Sequence, residues 1–167
     1  MDDSLIDRLH AATAGLRATR PAVEAGGPWP LETTIDNSDE AHWGPPEILA
    51  HLAEMATYWT GEIERVLAGS PDPVPFGRMA TDPVRLAVLE RDRSLPAREL
   101  YDRTTSALER LERRLAELAP ADLARRGLHP RLGEMTVAQI PERFVASHLA
   151  EHVGQLETVL GGPSTGS

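Results

Sequence analysis

The chain has no cysteine and no lysine: all 17 basic residues among its 167 are arginine. Without cysteine there is no disulfide, no thiolate metal ligand and no nucleophilic thiol, so any thiol chemistry needs a thiol carried in by a co-substrate. Without lysine there is no Schiff base, no covalently attached pyridoxal phosphate and no P-loop lysine. Positive charge is also in short supply, 17 basic against 26 acidic residues for a net charge of −9. That balance argues against a nucleic-acid partner, whose phosphates are bound by basic patches. No apolar run reaches the ~18 residues that span a bilayer. The acidic start Met1-Asp2-Asp3-Ser4 lacks the basic and apolar regions of a signal peptide. A soluble cytoplasmic protein with no membrane partner is the expectation.

What the chain does have is helical periodicity. Leu5, Ile6, Leu9, Thr13 and Leu16 mark a first helix over 3–19, expected to stop before Pro21. Residues 20–44 hold Gly26-Gly27-Pro28-Trp29-Pro30 and little periodicity, a connection long enough to be functional or a crossover. A second helix over 45–68 opens at Gly44-Pro45-Pro46-Glu47, with proline suited to the first turn and the glutamate to the positive end of the dipole. Its inward row is Ile48, Leu52, Met55, Trp59, Ile63 and Val66. Thr81-Asp82-Pro83 reads as the cap of a short helix to Arg91. Leu100, Thr104, Leu108, Leu111, Leu115 and Leu118 define a long helix over 95–118. A last helix over 137–160 begins with Thr136 and Gln139 in capping-box positions, with Pro141 expected to kink or delay it. No strand pattern stands out. The reading is all-α: one four-helix-bundle domain over 1–160 with long crossover connections, then a disordered tail over 161–167.

Three of the six histidines, His51, His148 and His152, lie on inward rows of these helices. His148 and His152 are four residues apart, on one helix face and about 6 Å apart along the axis, so both imidazoles can reach one ion. His51 sits in the second helix, which a bundle can bring alongside. A lone histidine among apolar residues is more often a hydrogen-bonded core residue than a ligand. Burying three unpaired imidazoles, however, is costly. Three neutral nitrogens without a fourth protein ligand describe an open, catalytic type of metal site. Glu54 and Tyr58 share the face of His51, and Gln155 continues the row of His148 and His152. All three are candidates for orienting ligands or handling protons. Arg131, in the turn feeding the last helix, is a candidate for holding a carboxylate. His10, His42 and His129 sit on no patterned face and read as surface or loop residues. Trp29, Trp43 and Trp59, in or beside the second helix, suggest a surface patch for association.

The segments Trp43-Gly44-Pro45-Pro46-Glu47-Ile48-Leu49-Ala50-His51-Leu52, His129-Pro130-Arg131-Leu132-Gly133-Glu134-Met135-Thr136-Val137 and Ser147-His148-Leu149-Ala150-Glu151-His152-Val153-Gly154-Gln155 occur in that order. The sequence thereby resembles the DinB/YfiT-like superfamily of metal-binding four-helix bundles, from the first helix to Leu160. The resemblance implies a divalent ion, nickel or zinc, on His51, His148 and His152, and a homodimer. Characterised relatives use low-molecular-weight thiols such as mycothiol or bacillithiol in isomerase or S-transferase reactions, which suits a chain without cysteine. The expectation is a metal-dependent enzyme that activates such a thiol or water toward a small-molecule substrate, in S-transferase or hydrolase chemistry. A non-catalytic metal-binding stress or sensor protein would use the same residues.

Overall fold

The computed structural model describes residues 3–32, 34–35, 40–70 and 72–161. Its helices are α1 (Asp3–Gly26), α2 (Pro45–Ala68), α3 (Pro83–Asp92), α4 (Ala97–Ala116), α5 (Pro120–Leu123), α6 (Gln139–Pro141) and α7 (Ser147–Leu160). A 3-10 turn, Glu40–His42, precedes α2, and a π-helical turn, Glu142–Ala146, joins α6 to α7. α1 packs on α4, α4 on α2, α2 on α7 and α7 on α1. The four long helices thus close a ring in which α1 and α2 are diagonal, as are α4 and α7. The two connections between diagonal helices are the crossovers, and one of them carries the turn at Glu40. Among the described residues no helix is long and apolar enough to cross a membrane.

The core is the sum of the periodic rows. Leu9 and Leu16 of α1, Ile48, Leu52 and Ile63 of α2, and Leu149 and Leu156 of α7 are sealed from solvent. So are Leu100, Leu108, Leu111 and Leu115 of α4. Thr104, in the same row, turns its hydroxyl to the carbonyls of Leu100 (2.7 Å) and Leu49 (3.0 Å), so a polar side chain sits in the α2–α4 seam without an unmet hydrogen bond. The side chain of Asp82 accepts from the amides of Val84 and Arg85 at 2.9 and 3.0 Å, which caps α3.

Three expectations need correction. α1 runs through Pro21 to Gly26 instead of stopping before the proline. Proline costs the helix one hydrogen bond, but the continuation buries Val23 completely. That burial contributes about 1.5–3 kcal/mol, comparable to the loss. Second, a small sheet exists: β1 (Val74–Pro75), β2 (Arg126–His129) and β3 (Gly133–Thr136), with β1 parallel and β3 antiparallel to β2. Its alternation was illegible because the inward positions of β2 are Gly127 and His129 while Leu128 faces out. Third, the tryptophans form no surface patch: Trp43 and Trp59 are buried and Trp29 is partly so. The rest of the tail, 162–167, lies outside the described residues.

Glu47 does more than face the helix dipole. Fully buried, its Oε1 accepts from the amide of Glu32 (2.9 Å) and from Arg93 (3.3 Å), while Arg93 also donates to the Glu32 carbonyl. This pair ties the first crossover to α2 and to the end of α3. Removing one partner strands a buried charge, at a cost of about 3–5 kcal/mol. Glu47→Gln should therefore lower the urea midpoint of unfolding sharply, whereas Glu64→Gln, in an exposed pair with Arg114, should leave it within experimental error.

Candidate metal centre

Neighbouring α2 and α7 each present histidine on an inward face, and the crossover turn adds a carboxylate. His51 Nε2 lies 2.8 Å from His148 Nε2, which lies 3.2 Å from His152 Nε2. Glu40 Oε2 stands 3.6 and 3.7 Å from the same atoms of His148 and His152. The four candidate ligand atoms lie within 4.8 Å of one another. His51 and His152 are buried, while Glu40 and His148 are partly open to solvent.

Hydrogen bonds decide which ring nitrogen carries each proton. Gln155 turns its amide nitrogen to the carbonyls of Glu40 (2.8 Å), Ala41 (3.2 Å) and Trp43 (3.1 Å), leaving Oε1 3.0 Å from His152 Nδ1. An oxygen there accepts, so Nδ1 of His152 holds the proton and Nε2 presents its lone pair. His51 is set the other way. Its Nδ1 meets a guanidinium nitrogen of Arg85 at 3.2 Å, and arginine only donates, which leaves the His51 proton on Nε2. His148 Nε2 then faces a proton on one side and a lone pair on the other. Whichever form it takes, one of its two short contacts is mismatched. A cation at the centre removes the conflict, because all three Nε2 lone pairs can then point at it; separations near 3 Å suit one ion with bonds of about 2.0–2.1 Å.

Electrostatics favour neutral ligands and an ionised carboxylate. Burial, with the Arg85 charge second, holds the His51 pKa well below the ordinary histidine value. Burial and the neighbouring His152 lower that of His148. For Glu40, burial opposes ionisation, but the neighbouring His152 and His148 imidazoles and the Arg85 charge outweigh it and keep the pKa below the usual carboxylate value. Arg85 grips Glu40 Oε1 at 2.8 Å and the Ala80 carbonyl at 3.2 Å.

The cluster forms one end of a cavity of about 680 Å³. Glu54 lines this cavity, ion-paired to Arg78, and its Oε2 is buried without a hydrogen-bond partner. Tyr58 is not in the cavity wall; its ring lies 3.6 Å beneath the Arg78 guanidinium, and burial pushes its pKa up to about 12. Gln155 touches His152 directly, and Arg131 lies on the cavity wall, exposed. His10 and His42 are exposed and outside the cluster. His129 is buried instead: its Nδ1 accepts from the amides of Arg131 (3.2 Å) and Leu132 (3.3 Å), and Gly77, at φ +83°, lies so close that a Cβ there would meet the ring at 2.3 Å.

Sequence reasoning missed Glu40 and Arg85. Neither sits on a long periodic face, and the length of the 20–44 connection was the only signal that the first of them served a site.

The family model of the DinB superfamily matches residues 3–156. No curated protein and no solved structure matches the chain.

Acid should destabilise the metal-free protein early. His51, His148 and His129 all have lowered pKa values, His129 through burial and then Arg131. As pH falls through about 6.5 the unfolded chain takes up protons that the folded chain refuses, so stability present above that pH is lost below it. In the presence of chelator the urea midpoint should drop between pH 7.5 and 5.5, and His51→Ala should show a smaller drop. A midpoint flat over that range would contradict the assignment.

Proposed function

The chain belongs to the DinB superfamily, and from that premise we propose that it is a metal-dependent enzyme. In this reading His51, His148 and His152 hold a divalent cation, nickel or zinc, beside a cavity where a low-molecular-weight thiol or water is activated. The observation that carries it is the convergence of three Nε2 atoms whose close contacts cannot all be hydrogen bonds. Imidazole donors suit nickel and zinc alike. When bound, the ion supplies Lewis acidity, lowering the pKa of a thiol or water and polarising an electrophile.

The remaining work falls to the chain's own side chains. Gln155 keeps His152 in the tautomer that ligates and holds the Glu40 turn in place. Glu40, ionised and facing His148 and His152, can complete the ligand set or accept the proton that a thiol or water gives up. Arg85 orients Glu40 through its other oxygen. With neither cysteine nor lysine in the chain, the nucleophile comes from the co-substrate.

Metal analysis of protein purified without a nickel column, followed by calorimetric titration, tests this directly. His148→Ala should weaken binding by orders of magnitude, and Gln155→Ala by about 10–100-fold, the usual effect of removing a group that orients a ligating histidine. Arg85→Gln should tighten it about tenfold, since a glutamine oxygen can accept from Nδ1–H of a ligating His51, a difference of one hydrogen bond. Saturating metal should stabilise the wild type, by ~2.7 kcal/mol at a hundredfold excess over Kd. A wild type and a His148→Ala variant equally sensitive to chelator would overturn the reading. Turnover of electrophiles that requires both added thiol and metal distinguishes an enzyme from a metal-binding protein without activity.

A further inference from the structure

The cavity beyond the histidines has a second polar feature that the metal reading leaves unused. Two of its four cationic residues are spoken for, Arg85 by Glu40 and Arg78 by Glu54. The other two, Arg131 and Arg143, line the same cavity, are exposed, and make no ion pair with any described residue. Unpaired arginines on an open helix face are unremarkable, and Arg110 on α4 is one. Two that converge on one concave site are another matter, because Glu40 and Glu54, the acidic residues of that wall, are already engaged.

Separate elements place these two arginines, and a stack of the neighbouring rings His129 and Phe144 joins the two elements. Arg143 lies in the π-helical turn. Pro141 brings no amide hydrogen to that turn, and both Arg143 and its neighbour Phe144 reach the cavity one turn ahead of His148. Arg131 lies in the β2–β3 turn, whose backbone is pinned by His129 Nδ1. The His129 ring stacks on Phe144 at 5.2 Å, and Phe144 stacks on Trp59 at 4.0 Å. Met55 and Trp59, about one and two turns along α2 from His51, and Phe144, about one turn before His148, give the cavity an apolar wall.

We infer that the cavity binds an organic anion with a flat apolar body, its carboxylate held by Arg131 and Arg143 and its body against Trp59 and Phe144. Guanidinium groups recognise carboxylates through paired hydrogen bonds, and the edges of the Trp59–Phe144–His129 stack suit the face of a flat apolar body. The opposite end of the ligand then faces His51 and His148, which makes it the electrophilic co-substrate. That last orientation rests on the metal reading; the carboxylate clamp does not. His129 acts as a positioning residue for the rim.

The probe is 2-naphthoate, with 2-naphthol as its neutral counterpart, titrated calorimetrically into chelator-treated full-length protein. Naphthoate should bind and naphthol should bind at least tenfold more weakly. The double variant Arg131→Ala/Arg143→Ala should lose about 10–100-fold in naphthoate affinity, as expected for losing hydrogen bonds to a charged group. Arg110→Ala should lose none. Both rim arginines are exposed, so the double variant should keep its circular dichroism and melting temperature. His129→Ala should weaken naphthoate but not metal. His148→Ala/His152→Ala, which removes the metal site, should bind naphthoate within a fewfold of wild type. Retained affinity there together with absent metal binding in the wild type would sink the proposed function and leave the clamp standing. Equal affinity for the two probes, full affinity in the double arginine variant, or naphthoate binding that needs loaded metal would each overturn the clamp.

Discussion

The side-chain amide of Gln155 is the constraint on which the site depends. One end meets His152 and settles which ring nitrogen is free; the other end gathers three carbonyls of the crossover turn that carries Glu40. A single planar group therefore couples a helix face to a loop that has no periodic structure of its own. Trp43, at the end of that loop, is buried against the rings of both His51 and His152, edge-on to the first and stacked on the second. The crossover is in this sense part of the candidate metal centre rather than a strap around the bundle.

The histidines are prepared unequally, which has a chemical consequence. His152 is set for ligation by a neutral acceptor, whereas His51 faces a guanidinium that a ligating tautomer would oppose. Ligands supported by acceptors bind more tightly than ligands opposed by donors. Under the proposed metal reading Arg85 trades metal affinity for control of Glu40, and keeps a positive charge beside whatever the site holds. An ion held less tightly by its ligands is a better electrophile.

Beyond the histidines, departures from regular helix and sheet shape the cavity. The π turn after Pro141 presents two successive side chains to it, and a short hairpin held by a buried histidine supplies His129, Arg131 and Leu132. In both places a local irregularity aims a side chain that a regular helix or strand would direct elsewhere.

The four long helices, their inward rows and the shared face of His148 and His152 were legible from the residues, because a period of 3.6 and a four-residue spacing are local facts of the chain. The limits of α2 and the Asp82 cap were legible for the same reason. The extension of α1 past Pro21 was not, since it depends on burying Val23 against other helices. The sheet was hidden because its inward residues are a glycine and a histidine. Glu40, Arg85 and the placement of Arg143 and His129 were decided only by tertiary structure. Each acts across a loop, a cap or a turn, and no periodicity links such positions. Sequence spacing determined which side chains share a helix face; only the folded ring of helices determined which loops close over that face, and with what charge.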